Sequence, residues 1–159
     1  MIETNNIIKA YTDGSCNTTH NFGAWAAIIF INNEEVILKG TAKSTTNNRM
    51  ELCGVLNVLN YIKTNNLQKL EIIIYTDSQY VEGIERRIPK FKLQNYKTKK
   101  GLVIKNDDLV RELVSYIETL NIEFVKVKAH QKETIPPNYN RFVDKLSRKL
   151  VRSYISENF

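Results

Sequence analysis

The sequence predicts an α/β domain, and three observations carry the prediction. An N-terminal strand is followed by two more strand-like segments around an Asn32-Asn33 turn, the signature of an antiparallel meander. The run Glu71-Ile72-Ile73-Ile74-Tyr75-Thr76 is apolar through its middle, as in a strand covered on both faces and paired in parallel. Helical periodicity fills the stretches after the meander and after this apolar strand.

Taken in order, residues 7–12 read as the first strand, closed by the turn signal Asp13-Gly14-Ser15. Residues 22–31 and 36–39 read as the second and third. A helix follows over 48–64, with Leu52, Val55, Leu56, Leu59 and Ile62 near one face. Asn48, three residues before Glu51, fits a capping box. Asn65-Asn66 breaks the pattern ahead of the strand at 71–76, and Asp77-Ser78 then opens a helix with Asp77 as its N-cap. Asn106-Asp107-Asp108 opens another helix, whose apolar side is Leu109, Leu113, Tyr116, Ile117 and Leu120. Residues 122–128 read as a fifth strand and 129–139 as a polar loop holding His130 and Pro136-Pro137. The final amphipathic helix, over 141–154, carries Asp144 in its first turn.

A chain of 159 residues with 42% hydrophobic and 25% charged composition is expected to form one domain over 1–159. No apolar run approaches the ~20 residues that span a bilayer, and the first residues carry neither a secretory nor a transit pattern. Cys16 and Cys53 lack metal-site spacing, so free thiols and a cytoplasmic location are expected, with a monomer as the default. The net charge of +6 is unevenly spread: residues 86–105 hold eight Lys or Arg and no acid, interleaved with Phe91 and Tyr96. Such a block suits either a solvated loop or a phosphate backbone with bases against rings.

Four acids stand at element termini: Asp13, Glu51, Asp77 and Asp144. Each has an ordinary reading, as a turn residue, a capping-box member, an N-cap and a surface acid near a helix start. Together they admit another. If the first and fourth strands pair in parallel, Asp13 and Asp77 finish at the same sheet edge, and like charges that close call for a cation.

Four segments carry a family resemblance: Tyr11-Thr12-Asp13-Gly14-Ser15-Cys16, Thr46-Asn47-Asn48-Arg49-Met50-Glu51-Leu52, Tyr75-Thr76-Asp77-Ser78-Gln79-Tyr80-Val81 and Asn140-Arg141-Phe142-Val143-Asp144. In this order and at this spacing the chain resembles a type 1 ribonuclease H over nearly its whole length. The resemblance implies the ribonuclease H-like fold: a five-stranded mixed sheet, its first three strands antiparallel and its fourth and fifth parallel, flanked by helices, with a basic handle insertion at about 86–105. It implies an endonuclease that hydrolyses the RNA strand of RNA–DNA hybrid duplexes, using two Mg²⁺ ions (or Mn²⁺) and leaving 5′-phosphate and 3′-hydroxyl ends. Asp13, Glu51, Asp77 and Asp144 match the metal-binding carboxylates, and His130 the mobile-loop histidine that assists proton movement or product release. Cys16, Asn17, Asn47, Asn48 and Gln79 match residues facing the minor groove, where the 2′-hydroxyl distinguishes RNA from DNA. Thr46 and Asn106 match residues holding a DNA-strand phosphate, and Phe91 and Tyr96 stand near the handle's nucleic-acid contacts.

Two readings of other classes compete, a silent hybrid-binding module and a nuclease for all-DNA substrates. The four acids argue against the first, and the amides of Asn47, Asn48 and Gln79 against the second. The chain departs from the pattern in its handle, which lacks the usual tryptophans, since the single Trp25 lies in a strand. The loop after His130 is also longer than in common bacterial forms. With charge substituting for ring stacking, cleavage is expected to fall with added salt more steeply than in a Trp-rich relative. Equal salt slopes for the two enzymes would contradict this.

Overall fold

The computed structural model describes residues 7–130, 132 and 138–159. Five strands form one sheet: β1 (Ile7–Asn17), β2 (Phe22–Ile31), β3 (Glu34–Lys43), β4 (Glu71–Thr76) and β5 (Ile122–Lys126), in the order β3-β2-β1-β4-β5. The meander β1–β2–β3 is antiparallel, whereas β1–β4 and β4–β5 are parallel, so the sheet is mixed as expected. The helices are α1 (Asn47–Thr64), α2 (Gln79–Glu82), α3 (Ile84–Leu93), α4 (Asp107–Thr119) and α5 (Tyr139–Asn158).

Side-chain alternation along β1 gives the sheet two different faces. Ile8 and Ala10, with Ile72 and Ile74 of β4, pack beneath Leu52, Val55, Leu59 and Ile62 of α1 and Leu113 of α4 in the main core. Tyr11 looks to the opposite face, where it stacks on Tyr75 at 4.5 Å and meets Tyr139 of α5, beside a small core of Ala26, Ile28 and Val143. The expectation that β4 is covered on both faces holds for one side only. Ile72, Ile74 and Thr76 are buried, but Ile73 and Tyr75 are half-exposed, because α5 lies over β1 and β2 and leaves β4 less covered.

Several local expectations are corrected. Asp13-Gly14 makes no turn: β1 runs on to Asn17 because Asp13, Gly14 and Ser15 pair with Ala26, Trp25 and Ala24 of β2. The N-cap of α1 is Thr46, whose hydroxyl accepts from the Arg49 amide at 3.2 Å, so Asn48 and Glu51 form no capping box. Ser78 rather than Asp77 caps α2, accepting from Val81 N at 3.1 Å. β5 ends at Lys126 instead of 128, and α5 begins at Tyr139, which puts Asp144 in its second turn. The start of the basic insertion is helical: α3 carries Pro89 at an exposed position inside it, and an isolated Lys97–Val103 bridge closes the loop beyond. Most of the long loop after His130 lies outside the described residues.

Gly14 is where α1 touches β1 most closely. A Cβ there would stand 2.6 Å from Glu51 N and 2.7 Å from the Met50 carbonyl carbon, both backbone atoms that cannot swing aside. Gly54, one helical turn along, has room: its nearest contact would be the Thr12 Cβ at 3.5 Å. Gly14→Ala is therefore expected to lower stability by roughly 2–3 kcal/mol through overpacking. Gly54→Ala is expected to raise it by roughly 0.5–1 kcal/mol, the helix-interior gain of alanine. Urea unfolding of the two variants checks both signs.

Candidate active site

The last register pair of the parallel β1–β4 ladder is Thr12–Thr76, so the next residue on each strand is an aspartate, Asp13 and Asp77. α1 brings a third acid: its close approach at Gly14 carries the Glu51 backbone against the same strand end. Carboxylate oxygens of Asp13, Glu51 and Asp77 all lie within 4.8 Å of one another. Asp13 and Glu51 are buried, at 3% and 4% exposure, and Asp77 is half-buried. Asp144 reaches the group from α5 with 18% of its side chain exposed. Because Ser78 takes the capping role, the Asp77 carboxylate is left for the cleft.

Burial pushes the Asp13 carboxyl up to about 11, with the neighbouring charges of Glu51 and Asp77 and hydrogen bonding to Glu51 and Asp144 adding to it. Glu51 is pushed up to about 7, again by burial first, against which its hydrogen bond with Asp13 works, while the Asp77 charge adds to the rise. Asp77 is raised by burial and by Asp144, and lowered by its bond to Asp13 and by the charges of His130 and Lys126.

A divalent cation fits this donor set. Hard cations take oxygen ligands, and the cluster offers three carboxylates at mutual reach with Asp144 beside them. Glu51 Oε2 is buried with no hydrogen-bond partner, an omission that native structures rarely tolerate without a ligand, ion or water.

The acids open into a cleft of about 520 Å³ whose walls include Cys16, Asn47, Asn48, Gln79 and His130. Cys16 is half-buried, with its thiol directed at the Thr45 carbonyl at 3.5 Å. Asn47, Asn48 and Gln79 are exposed at the rim. Asn17 Oδ1 accepts from His20 N at 3.0 Å and closes the turn after β1. His20 is packed on Phe159, ring centroids 4.1 Å apart. Thr46 and Asn106 are brought near each other through Arg49, whose amide caps on Thr46 while its guanidinium donates to Asn106 Oδ1 at 3.3 Å and to Asp108 at 2.9 Å. Asn106 holds a left-handed backbone (φ 60°) and donates to the Tyr80 hydroxyl at 3.4 Å.

Phe91 does not offer a ring to a ligand. It is 5% exposed within the main core, stacked on Tyr96 at 5.6 Å and covered by Arg87 at 4.8 Å. The Tyr96 ring is flanked by Phe91 and by Arg111, whose guanidinium lies 4.0 Å from its centroid. The insertion thus presents its cations outward and keeps these rings inward, where they fasten α3 to α4.

Three positions escaped the sequence reading. Arg148 Nε lies 3.1 Å from Asp144 Oδ1, and Arg148 Nη2 lies 3.2 Å from His130 Nδ1. The i, i+4 spacing of Asp144 and Arg148 was the available signal. His130 is 68% exposed, with Nδ1 3.9 Å from Asp144 Oδ2. Asn140, 2% exposed, donates to the Lys128 carbonyl at 3.2 Å and so ties α5 to the segment leading to His130. Arg49 joins the two expected phosphate contacts.

A family model described as RNase H matches residues 5–152. A Ribonuclease H of Francisella tularensis subsp. novicida is 34% identical over 158 residues, covering 99% of each chain. One of Caldicellulosiruptor saccharolyticus is 33% identical over 147 residues, 91% of this chain and 96% of its own. Among solved structures, LC9-RNase H1, described as a type 1 RNase H with the type 2 active-site motif, superposes with a TM-score of 0.76. It covers 90% of this chain and 71% of its own at 22% identity, a likeness of fold. The chain belongs to the ribonuclease H family and is a ribonuclease H enzyme. No helix among the described residues is long and apolar enough to cross a membrane.

The raised acids give the metal-free protein a definite pH response. Glu51 and Asp13 hold protons more tightly folded than unfolded, so between the ordinary carboxylate range and about 7 the folded state binds more protons. Stability is then greatest at the acid side of that window and falls as pH rises through it. In EDTA the melting temperature is expected to drop from pH 5 to pH 7.5. Asp13→Asn should flatten that slope, and millimolar Mg²⁺ should offset the loss at pH 7.5. A melting temperature that rises over the window in EDTA, or ignores Mg²⁺, would contradict the assignment.

Proposed function

We propose that the chain is a type 1 ribonuclease H that cleaves the RNA strand of RNA–DNA hybrids endonucleolytically, leaving 5′-phosphate and 3′-hydroxyl ends. The observation that carries this reading is the convergence of Asp13, Glu51 and Asp77 within 4.8 Å, with Asp144 beside them, at the C-terminal end of a parallel strand pair. Asp13, Glu51, Asp77 and Asp144 would hold two Mg²⁺ ions, with Mn²⁺ able to substitute. When bound, such ions supply a water of lowered pKa and stabilise the charge of the leaving 3′ oxygen.

The protein's own groups set strand choice and position. Asn47, Asn48 and Gln79, at the rim of the cleft, can both donate and accept, which suits the minor-groove edge and the ribose 2′-hydroxyl without demanding a sequence. Cys16 lines the same wall, on the side that would face the minor groove. Asn17, whose Oδ1 closes the turn after β1, has its amide Nδ2 to offer the minor groove. Thr46 and Asn106, joined by Arg49, form a neighbouring contact for a phosphate of the DNA strand, which fixes register but carries no base information. His130, exposed beside Asp144, can exchange protons with solvent and pass them toward the cleft. The handle acts through its outward cations, with Phe91 and Tyr96 as its internal brace rather than its stacking surface.

A strand-specific assay comparing RNA–DNA, RNA–RNA and DNA–DNA duplexes, with and without Mg²⁺, tests the reading. Cleavage is expected only of the RNA in the hybrid and only with the ion. Asp13→Asn and Asp77→Asn are each expected to lower kcat by roughly 10³-fold or more while hybrid binding survives. His130→Ala is expected to lower it within about 10²-fold. Near-normal cleavage by either aspartate variant would overturn the four-carboxylate site. Binding without cleavage by the unaltered chain would make it a silent module, and cutting of the all-DNA duplex would make it another nuclease.

A further inference from the structure

α5 carries a basic stripe, of which Lys145, Lys149 and Arg152 are explained neither by packing nor by the acid site. Arg141, Lys145, Arg148, Lys149 and Arg152 line a groove of about 520 Å³ along one side of the helix. The opposite side, through Val143, Ser147 and Val151, is buried. The stripe contains like-charge neighbours at i, i+4, namely Arg141 with Lys145, Lys145 with Lys149, and Arg148 with Arg152, and each such pair disfavours the helix. Among the described residues Asp144 is the one acid lining the groove, and it is paired with Arg148. Among the described residues no ion pair holds Lys145, Lys149 or Arg152, and all three are exposed. Lys145, Lys149 and Arg152, set among like charges and held by none of these ion pairs, are what an extended polyanion would neutralise.

The groove is continuous with the catalytic cleft, because His130, Asp144 and Arg148 line both. From Asp144 to Arg152 the helix advances about 12 Å at ~1.5 Å per residue. At an axial spacing of ~3.4 Å that spans about three steps of one strand, room for two or three phosphates beyond the scissile one. A strand whose scissile phosphate lies at the acids would have this groove as its continuation. The handle cannot supply the same grip, since α3 packs with α1 and α4 on one face of the sheet and α5 covers the other.

We propose that the α5 groove is a phosphate subsite for the strand being cut, gripping two or three of its phosphates on one side of the scissile position. The inference rests on the ribonuclease H reading of the acid cluster and extends it to residues with no part in the chemistry.

The test uses hybrids in which a short ribonucleotide tract, in a cut strand otherwise of DNA, fixes the cleavage position. Two series are then trimmed from either end of that strand. For the unaltered enzyme, KM is expected to rise when one particular side is trimmed below about three nucleotides. The triple variant Lys145→Gln/Lys149→Gln/Arg152→Gln should show kcat unchanged and KM raised about tenfold or more near 0.1 M salt. Its salt slope should be shallower by about 2, near 0.9 per lost phosphate contact, and it should no longer respond to trimming on that same side. A charge-preserving variant, Lys145→Arg/Lys149→Arg/Arg152→Lys, should restore all three readouts, and a circular-dichroism melt confirms that both variants fold. Unaltered KM, salt slope and trimming response in the glutamine variant would overturn the proposal. So would a KM rise shared equally by both series, which would mean general attraction without a subsite. If the unaltered enzyme binds these hybrids but never cuts them, the ribonuclease reading fails. The groove is then judged separately by the same two series in fluorescence anisotropy, where loss of one-sided length dependence in the glutamine variant supports it and its retention overturns it.

Discussion

The structure depends on the parallel pairing of β1 with β4 and on what stands just past its last register pair. Thr12 and Thr76 close the ladder, and each strand then presents an aspartate at the same edge. The resulting proximity works against the folded state. At the 4.8 Å limit of the cluster and an effective dielectric near 20, two unit charges repel by roughly 3.5 kcal/mol. Three such pairs would cost about as much as an ordinary domain's entire stability of ~5–15 kcal/mol. The acids therefore share protons or share a cation. The raised carboxyls of Asp13 and Glu51 are the first solution, and the unpartnered Glu51 Oε2 points to the second.

What holds the acids in place is apolar and lies beneath them. Ile8, Ala10, Ile72 and Ile74 anchor the two strands under α1, and Gly14 lets the α1 backbone come close enough to deliver Glu51. On the other face Tyr11, Tyr75 and Tyr139 seat α5, which delivers Asp144. The site is thus supplied from both sides of the sheet, and its geometry follows from two independent packing surfaces. The cations are partitioned in the same way, with the insertion on the α1 side and the α5 stripe on the other, so a duplex over the acids meets positive charge from both directions.

Much of this was legible in the sequence because it rests on periodicity and on termination. β2 and β4 have the bounds their apolar runs imply, and the core face of α1 is the one its spacing marks. Illegible points came from competition between local and non-local partners. Asp-Gly is a strong turn signal, yet pairing with β2 carried β1 straight through it. Thr46 outcompeted Asn48 for the α1 cap, and Ser78 outcompeted Asp77 for α2, because each aims an oxygen at the right amide from an extended backbone. Phe91 and Tyr96 look in sequence like rings in a basic loop. Only the packing of α3 on α4 shows them turned inward beneath Arg87 and Arg111. Arg148 was hidden in a helix rich in cations and gains meaning from Asp144 one turn before it.

Anomalous diffraction from crystals soaked in Mn²⁺ reports whether four acids distant in the sequence are gathered to hold divalent cations. Anomalous density is expected among Asp13, Glu51, Asp77 and Asp144, with carboxylate oxygens of Asp13 and Glu51 within about 2.5 Å of an ion. Density only elsewhere on the surface, with the acid cluster empty at saturating Mn²⁺, would contradict it.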